Sequence, residues 1–351
     1  MSFTFTFGDY FDYQNETVTL VVNPMTLTCE KKLLEPTAGL ILCFILIAIF
    51  LLAIPGNLLV GWVISTSRQA LTPSDVYLFH LTIADGLMAL TLPFFAVAHV
   101  WGWIFGDFLC KLLNLIIDAN FYTSIIFLAC ISIDRYLVIV HANETLRTRQ
   151  KMCTRLLCAA VWALGWAVAL PALFNDAIKI KHSDMLICTE SFDIGSAFVW
   201  RVATRGFRHI FGFVVPLTVM IACYSITIGR LLRTRGFQKH RAMRVIIVVV
   251  IAFLLCWTPY HITMVVDTLI RAKLITYDCA AMRTVTLALD VTNGLALTHS
   301  CINPFLYAFV GEKFRKKMTH LLQRKLRRET MSGPKFSRSS SHTSEGTGAV
   351  L

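Results

Sequence analysis

Seven long apolar stretches, separated by short polar segments, constrain this chain more than any other feature of its sequence. Each stretch reaches the roughly 20 residues of helix that cross the hydrocarbon core of a bilayer. Hydrophobic residues make up 56% of the chain and charged residues 15%, whereas roughly 25% of a soluble protein is charged. We therefore predict an all-α membrane protein, a seven-transmembrane helix bundle with spans at 38–66, 74–100, 108–140, 153–174, 201–232, 243–270 and 283–310.

The basic residues predict how the bundle is oriented. Lysine and arginine concentrate between spans 3 and 4, between spans 5 and 6, and after span 7. Because cytoplasmic loops carry an excess of these residues, we place those segments in the cytoplasm and the N-terminus outside. The net charge of +12 then reflects this cytoplasmic excess, and we expect no nucleic-acid partner.

Four segments follow from this arrangement. We predict a disordered acidic extracellular arm at 1–37, the bundle at 38–310, an amphipathic helix on the inner leaflet lipids at 311–322, and a disordered cytoplasmic tail at 323–351. Asn15 begins a glycosylation sequon in the outer arm. The tail is rich in hydroxyl side chains that we expect to be phosphorylated, namely Ser337, Ser339, Ser340, Ser341, Thr343 and Ser344.

Four of the eleven cysteines lie on the predicted outer side, where disulfides persist. Four cysteines allow three connectivities. The position of Cys110 at the top of span 3 favours a bridge to Cys188 in the second outer loop. Cys29 would then tie the arm to Cys279 in the third outer loop.

Short motifs occur in a fixed order along the spans, and together they resemble the rhodopsin-class G-protein-coupled receptors over the whole seven-span region. The motif positions are Asn57, Asp85, Asp134-Arg135-Tyr136, Trp162, Pro216, Tyr224, Cys256-Trp257-Thr258-Pro259 and Asn303-Pro304-Phe305-Leu306-Tyr307. Within that class the segment Asp134 to Ala142, Thr91-Leu92-Pro93 and the four outer cysteines resemble the chemokine receptors. Gly102 to Gly106 and Gln238 to Val245 resemble the C-X-C receptors for interleukin-8-type, neutrophil-attracting chemokines.

The resemblance implies a cytoplasmic activation switch. Arg135 would pair with Asp134 at rest and turn toward Tyr224 and the G protein in the active state, since guanidinium is a permanent cation with several donors. On charge alone, an ion pair that only marks the membrane interface is an equal alternative. The remaining predicted switch residues are Tyr136, Trp257, Pro259, Asn303, Pro304 and Tyr307.

Asp85 lies alone at mid-membrane depth in span 2. The resemblance implies an allosteric sodium ion held by Asp85, Ser124 and Asn303, and no other cofactor. His299 stands where many members of the class carry asparagine, which alters the expected shell. The alternative is a carboxyl group that burial keeps neutral.

A second group of charges lies in the outer half of the bundle, where the resemblance implies a cavity for the leading segment of a chemokine. Asp267 and Arg271, one turn apart, are expected to pair with each other. Asn293 stands where relatives carry a glutamate, so ligand choice is expected to differ. The predicted ligand-binding residues are Asp9, Tyr10, Asp12, Tyr13, Lys111, Arg201, Arg205, Arg208, Asp267, Arg271, Asp290 and Asn293.

The sequence therefore predicts a plasma-membrane receptor for C-X-C chemokines that activates an inhibitory-type G protein and drives calcium signalling and neutrophil chemotaxis. Receptor kinases and arrestin are the expected partners of its tail. An enzyme is disfavoured because no nucleophile–base pair, metal cluster or phosphate loop is evident, and a transporter because the two halves show no repeat. The alternative is a non-signalling chemokine scavenger of the same fold; scavengers usually depart from the Asp-Arg-Tyr pattern, which is intact here.

Overall fold

The computed structural model describes residues 2–5, 18–21, 35–66, 71–140, 144–180, 184–192, 196–232, 237–272, 274–275, 278–310, 315, 318–319 and 323. Side chains are described within these ranges except in 2–5, 18–21, 144–152, 231–246 and 307–310.

Helices dominate the described chain. They are α1 Pro36–Ser65, α2 Pro73–Ala89, α3 Leu92–Trp101, α4 Gly106–Val140, α5 Glu144–Ala169, α6 Ala197–His209, α7 Val215–Leu232, α8 Phe237–Arg271, α9 Cys279–Leu297 and α10 His299–Val310. A 3₁₀ turn at Leu170–Phe174 extends α5, and a π-helical turn at Ile210–Val214 joins α6 to α7. The strands are β1 Ser2–Phe5, β2 Val18–Val21, β3 Asn175–Lys179 and β4 Leu186–Glu190.

The predicted seven-helix membrane bundle is confirmed. Six helical segments of the described chain are long and apolar enough to cross a membrane, and α9 with its continuation α10 supplies the seventh span. The helix ends differ most from the predicted spans on the predicted cytoplasmic side, where α5 begins at Glu144 and α8 at Phe237. The helices continue there beyond the apolar stretch, because polar and basic residues do not interrupt a helix outside the bilayer.

Proline sets two of the irregularities inside the spans. Pro93 cannot donate a backbone hydrogen bond to the preceding turn, and α2 ends at Ala89 before α3 begins at Leu92. Pro216 lies two residues after the end of the π-helical turn of the fifth span. A π turn inserts one extra residue, so it changes which side of the upper helix faces the bundle.

The described strands form two antiparallel hairpins, both in segments that the sequence predicts to be extracellular. In the arm, β1 pairs with β2 from Ser2↔Val21 to Phe5↔Val18, a pairing that the sequence analysis does not predict. The second hairpin pairs β3 with β4 and sets Ala177 opposite Cys188. The predicted Cys110–Cys188 disulfide is present and ties this hairpin to the top of α4.

Large apolar side chains cover the outside of the bundle, for example Phe44 on α1, Leu58 on α1 and Leu255 on α8, all of which are exposed. Exposed apolar patches on this scale mark a surface that faces something other than water. The interior is filled by a continuous cluster around Phe121, Phe253 and Trp257. The apolar exterior and packed interior are those of a multi-pass membrane protein.

Candidate functional site

A cavity of about 190 Å³ opens among the outer ends of the helices. Its wall combines residues of α1, α3, α4, α5, α6, α8 and α9 with the 3₁₀ turn after α5 and the β3–β4 hairpin. The opening has room for a few side chains, not for a folded protein. Of the predicted ligand-binding residues, four line it: Arg205, Arg208, Asp290 and Asn293.

An ion pair between α4 and α6 lines the cavity. Nη1 of Arg208 donates to Oδ1 of Asp118 at 2.5 Å, and both side chains are largely buried. The guanidinium also lies over the rings of Phe121 and Tyr260, at 4.9 and 5.6 Å from their centroids. A carboxylate and two ring faces together hold this cation away from water.

A second network of charges joins α6, α8 and the hairpin above that pair. Arg205 donates from Nη1 to Oδ2 of Asp267 at 2.6 Å and from Nη2 to Oε2 of Glu190 at 3.2 Å. Asp267 is fully buried and also accepts from Nε of Arg271 at 2.8 Å. The predicted Asp267–Arg271 pair is therefore confirmed. Arg201 lies at the edge of this network, 3.8 Å from Glu190.

Lys111 binds the β3–β4 hairpin and does not line the cavity. Its Nζ contacts the Asp176 carboxylate, donates to the carbonyl of Asn175 at 3.0 Å, and lies 3.2 Å from Asp107. Arg201, Asp267 and Arg271 also lie outside the cavity lining. These residues brace the outer elements, so any ligand contact they make is at the rim.

Aromatic rings connect the cavity to the part of α8 that contains Pro259. Trp257 is fully buried, and its ring lies 4.4 Å from that of Phe121 and 5.8 Å from that of Tyr260. The guanidinium of Arg208 rests on Phe121. A displacement of Arg208 would therefore reach Trp257 through one intervening ring.

Two histidines make a direct polar link between the fifth and sixth spans at the same depth. Nδ1 of His209 lies 2.7 Å from Nδ1 of His261, so one ring donates and the other accepts. Both Nε2 atoms are buried without a partner among the described residues. The link holds α6 to α8 one turn above Trp257.

At mid-membrane depth, Asp85 of the second span contacts four side chains, two from the third span and two from the seventh. Its Oδ2 accepts from Nδ2 of Asn303 at 2.8 Å, and its Oδ1 lies 3.3 Å from Ser124 Oγ and 3.4 Å from Asn120 Nδ2. The Nε2 of His299 is 3.5 Å from the same Oδ1. Nδ2 of Asn57 on α1 donates a hydrogen bond to the Ser300 carbonyl at 2.8 Å.

The atoms around Asp85 fit a small cation. Nδ1 of His299 contacts the Ala296 carbonyl at 2.7 Å and must carry a proton, because a carbonyl only accepts. Oδ1 of Asn120 and Nε2 of His299 are buried without a hydrogen-bond partner among the described residues. The Asn120 oxygen is an acceptor that a bound cation would satisfy. One nitrogen in an otherwise oxygen shell is less favourable for a hard cation such as sodium.

The cytoplasmic end of α4 holds the Asp134-Arg135-Tyr136 triplet. The buried carboxylate of Asp134 accepts a short hydrogen bond from Ser74 and lies 3.8 Å from Nε of Arg135. That distance is an ion-pair contact without a formed hydrogen bond, since Arg135 Nε has no hydrogen-bond partner among the described residues. Tyr224 on α7 shares a 2.8 Å hydrogen bond with Ser132, one turn before Arg135.

The other predicted site residues lie on known elements or outside the described chain. Pro304 packs against Gly56 of α1, and the side chain of Tyr307 on α10 is outside the described part. Cys279 takes part in a disulfide. Outside the described residues are Asp9, Tyr10, Asp12, Tyr13, Asn15, Cys29, Ser337, Ser339, Ser340, Ser341, Thr343, Ser344 and most of the predicted helix 311–322.

Sequence reasoning missed several polar residues of the cavity and its floor. Asp118 is a charge inside an apolar span, which by itself marks a functional candidate, so this signal was available. His209 and His261 are also ionisable residues inside apolar spans, so the same signal was available for them. Glu190 follows Cys188 by two residues, and the disulfide could have placed it at the cavity mouth.

The comparisons agree with this architecture. The chain matches the family described as 7 transmembrane receptor (rhodopsin family) over residues 56–307. It is 43% identical over 294 residues to the C-X-C chemokine receptor type 2 of Homo sapiens, covering 84% of this chain and 81% of the relative. It is 46% identical over 275 residues to the type 1 receptor of Homo sapiens, covering 78% of each. The type 1 receptor of Oryctolagus cuniculus is 43% identical over 274 residues, 78% of this chain and 77% of the relative.

The chain therefore belongs to the rhodopsin family of seven-transmembrane, G-protein-coupled receptors and, within it, to the chemokine receptors. Members of this family are receptors and not enzymes, and they are multi-pass proteins of the plasma membrane.

Proposed function

We propose that this receptor binds an extracellular C-X-C chemokine and activates an inhibitory-type heterotrimeric G protein, driving calcium signalling and neutrophil chemotaxis. The observation that carries the proposal is 43–46% identity to C-X-C chemokine receptors types 1 and 2 over about four fifths of the chain. The N-terminus lies outside the cell, because the basic loops are cytoplasmic and the Cys110–Cys188 disulfide suits an oxidising compartment.

Ligand binding and signalling use opposite ends of the bundle. The folded body of the chemokine rests on the acidic arm and the rim, and only its leading segment enters the cavity, whose volume admits no more. Contact with Arg208 is transmitted through Phe121 to Trp257 and the Pro259 kink. Opening of α8 then lets Arg135 leave Asp134 and meet the G protein near Tyr224.

Two further features complete the proposal. A sodium ion bound by Asp85, Ser124 and Asn303 stabilises the resting state, and the His299 nitrogen weakens its binding. Receptor kinases phosphorylate the serine-rich tail, and arrestin then binds it.

Replacing Arg135 by alanine tests the signalling part of the proposal. The variant should bind chemokine at the cell surface and lose G-protein activation, because the cation that meets the G protein is gone. Arg155→Ala is the matched control, since Arg155 is an exposed cation near the start of the neighbouring span. G-protein activation by Arg135→Ala at the wild-type level, with surface expression matched, would falsify the proposed switch. Chemokine uptake without any G-protein response in the wild-type receptor would instead identify a scavenger.

A further inference from the structure

Two threonine hydroxyls join the sixth span to the seventh next to the cavity. Oγ1 of Thr263 on α8 lies 2.8 Å from Oγ1 of Thr292 on α9, and both side chains are partly buried. The residues that follow them, Met264 and Asn293, line the cavity. A ligand that moves either helix would therefore act on this Thr263–Thr292 link.

Each of the two hydroxyls has one proton and more than one acceptor within reach. Oγ1 of Thr292 lies 2.7 Å from the Ala288 carbonyl of its own helix. Oγ1 of Thr263 lies 3.1 Å from the Pro259 carbonyl and 3.0 Å from the Tyr260 carbonyl. A carbonyl only accepts. Because Thr292 has the shorter bond to its own backbone, the link forms when Thr263 donates to Thr292.

The proton of Thr263 can therefore exchange one acceptor for another. With the link formed it points to Thr292, and with the link broken it turns back to the Pro259 and Tyr260 carbonyls. Neither arrangement leaves a hydroxyl proton without an acceptor in the membrane interior, where no water replaces a lost partner. The link is thus an element with two discrete arrangements, which is the property that a switch requires.

The link lies one turn beyond a proline of α8. Proline has no backbone donor and weakens the helix at that turn, and Thr263 follows Pro259 by four residues. His261 bonds α8 to His209 of α6, and residues two apart on a helix point to nearly opposite sides. Beyond its proline, α8 is therefore held to the fifth span on one side and to the seventh span on the other.

From this arrangement we infer that Thr263 is a positioning residue for activation. Its bond to Thr292 holds α8 in the resting state, and activation returns the Thr263 proton to its own helix. The inference rests on the proposed signalling function and deepens it. Arg135 lies beside Asp134, which is the arrangement expected at rest, and the link is formed in that same state.

The test uses variants that remove one hydroxyl at nearly constant shape, Thr263→Val and Thr292→Val. Neither leaves an unpaired donor, because the remaining threonine keeps a carbonyl of its own helix. Thr263→Ser keeps the hydroxyl and loses the methyl group. Thr286→Val is the matched control, since Thr286 is an exposed residue of α9 whose hydroxyl donates to the Met282 carbonyl of the same helix.

The first measurement is agonist-independent G-protein activation at matched surface expression. Thr263→Val and Thr292→Val should each raise it about threefold, as expected for the loss of one hydrogen bond between membrane helices. The double variant should raise it no further, because the same bond is lost. Thr263→Ser and Thr286→Val should match the wild-type receptor.

The second measurement is hydrogen exchange of the α8 backbone amides that follow Pro259, in the purified receptor. Exchange should be faster in Thr263→Val and Thr292→Val than in Thr286→Val, because α8 opens more readily without the link. This measurement requires neither a chemokine nor a G protein.

Unchanged hydrogen exchange in both valine variants would overturn the inference. So would additive effects of the two changes, or unchanged basal activation in a receptor that a C-X-C chemokine does activate. An increase in Thr263→Ser equal to that in Thr263→Val would also overturn it, because packing and not the hydroxyl would then be responsible. Faster exchange in a receptor for which no chemokine and no variant activates a G protein would refute the proposed function instead.

Discussion

Substitutions of Asp118 and Arg208 should be strongly coupled in their effect on the free energy of unfolding, because the two side chains form one ion pair. Both side chains are shielded from water, with 20% and 13% of their surfaces exposed, so solvent screens the pair weakly. Removing one partner of a buried ion pair costs about 3–5 kcal/mol. In Asp118→Leu the guanidinium keeps its contacts with the rings of Phe121 and Tyr260, so the loss should lie at the lower end of that range. The expected net loss in folding free energy is therefore about 3 kcal/mol.

The double variant Asp118→Leu with Arg208→Leu should be far less destabilised, because neither charge then remains buried alone. Thermal denaturation of the solubilised receptor measures this with a thiol-reactive dye, since Cys158, Cys256 and Cys301 are buried and react only after opening. Asp118→Leu should lower Tm by about 5–10 °C, and the double variant by less than half of that.

Asp184→Leu supplies the control, because its ion pair with Lys179 is exposed and exposed pairs contribute little. Additive losses in the double variant would refute the coupling between Asp118 and Arg208. So would a Tm for Asp118→Leu that matches the Tm of Asp184→Leu.

Two further predictions concern activation. His209→Phe removes the 2.7 Å link to His261 and should raise agonist-independent G-protein activation several-fold, because α8 loses a tie that restrains it; exposed Thr218→Val is the control. His299→Asn supplies an oxygen beside Asp85, so sodium should lower agonist affinity at about tenfold lower concentration than in wild type, with choline as the control cation.

Either prediction has a clear contrary result. Basal activation of His209→Phe at the level of Thr218→Val would show that the histidine link does not restrain α8. A sodium response in His299→Asn identical to that of the wild-type receptor would show that the ring nitrogen does not alter the cation shell.

The spans and the class of receptor were predictable from the sequence for a physical reason. In a bilayer, each crossing segment must satisfy its own backbone, so about 20 apolar residues specify a helix. The polar residues that interrupt such helices then stand out, as Asp85 and Asp134 do. The resemblance to the rhodopsin-class receptors rests on the positions of such residues, and the comparisons confirm it.

The pairing of charges was not predictable in the same way. Asp118 and Arg208 are 90 residues apart in sequence, and their contact depends on how α4 and α6 rotate about their axes. The π-helical turn Ile210–Val214 changes that rotation for the upper part of the fifth span. No simple pattern of residues predicts such a turn. The contacts of Lys111 could not be predicted for the same reason, since the hairpin that binds it is formed by residues far along the chain.

Chemokine binding at the outer cavity should activate a G protein through this bundle. The most direct test measures inhibition of cyclic-AMP synthesis in cells expressing the receptor during exposure to a panel of purified C-X-C chemokines. At least one chemokine should give a saturable response that toxin blockade of inhibitory G proteins abolishes and Arg135→Ala removes. Saturable binding and uptake of a chemokine, with no G-protein response to any member of the panel, would contradict the account.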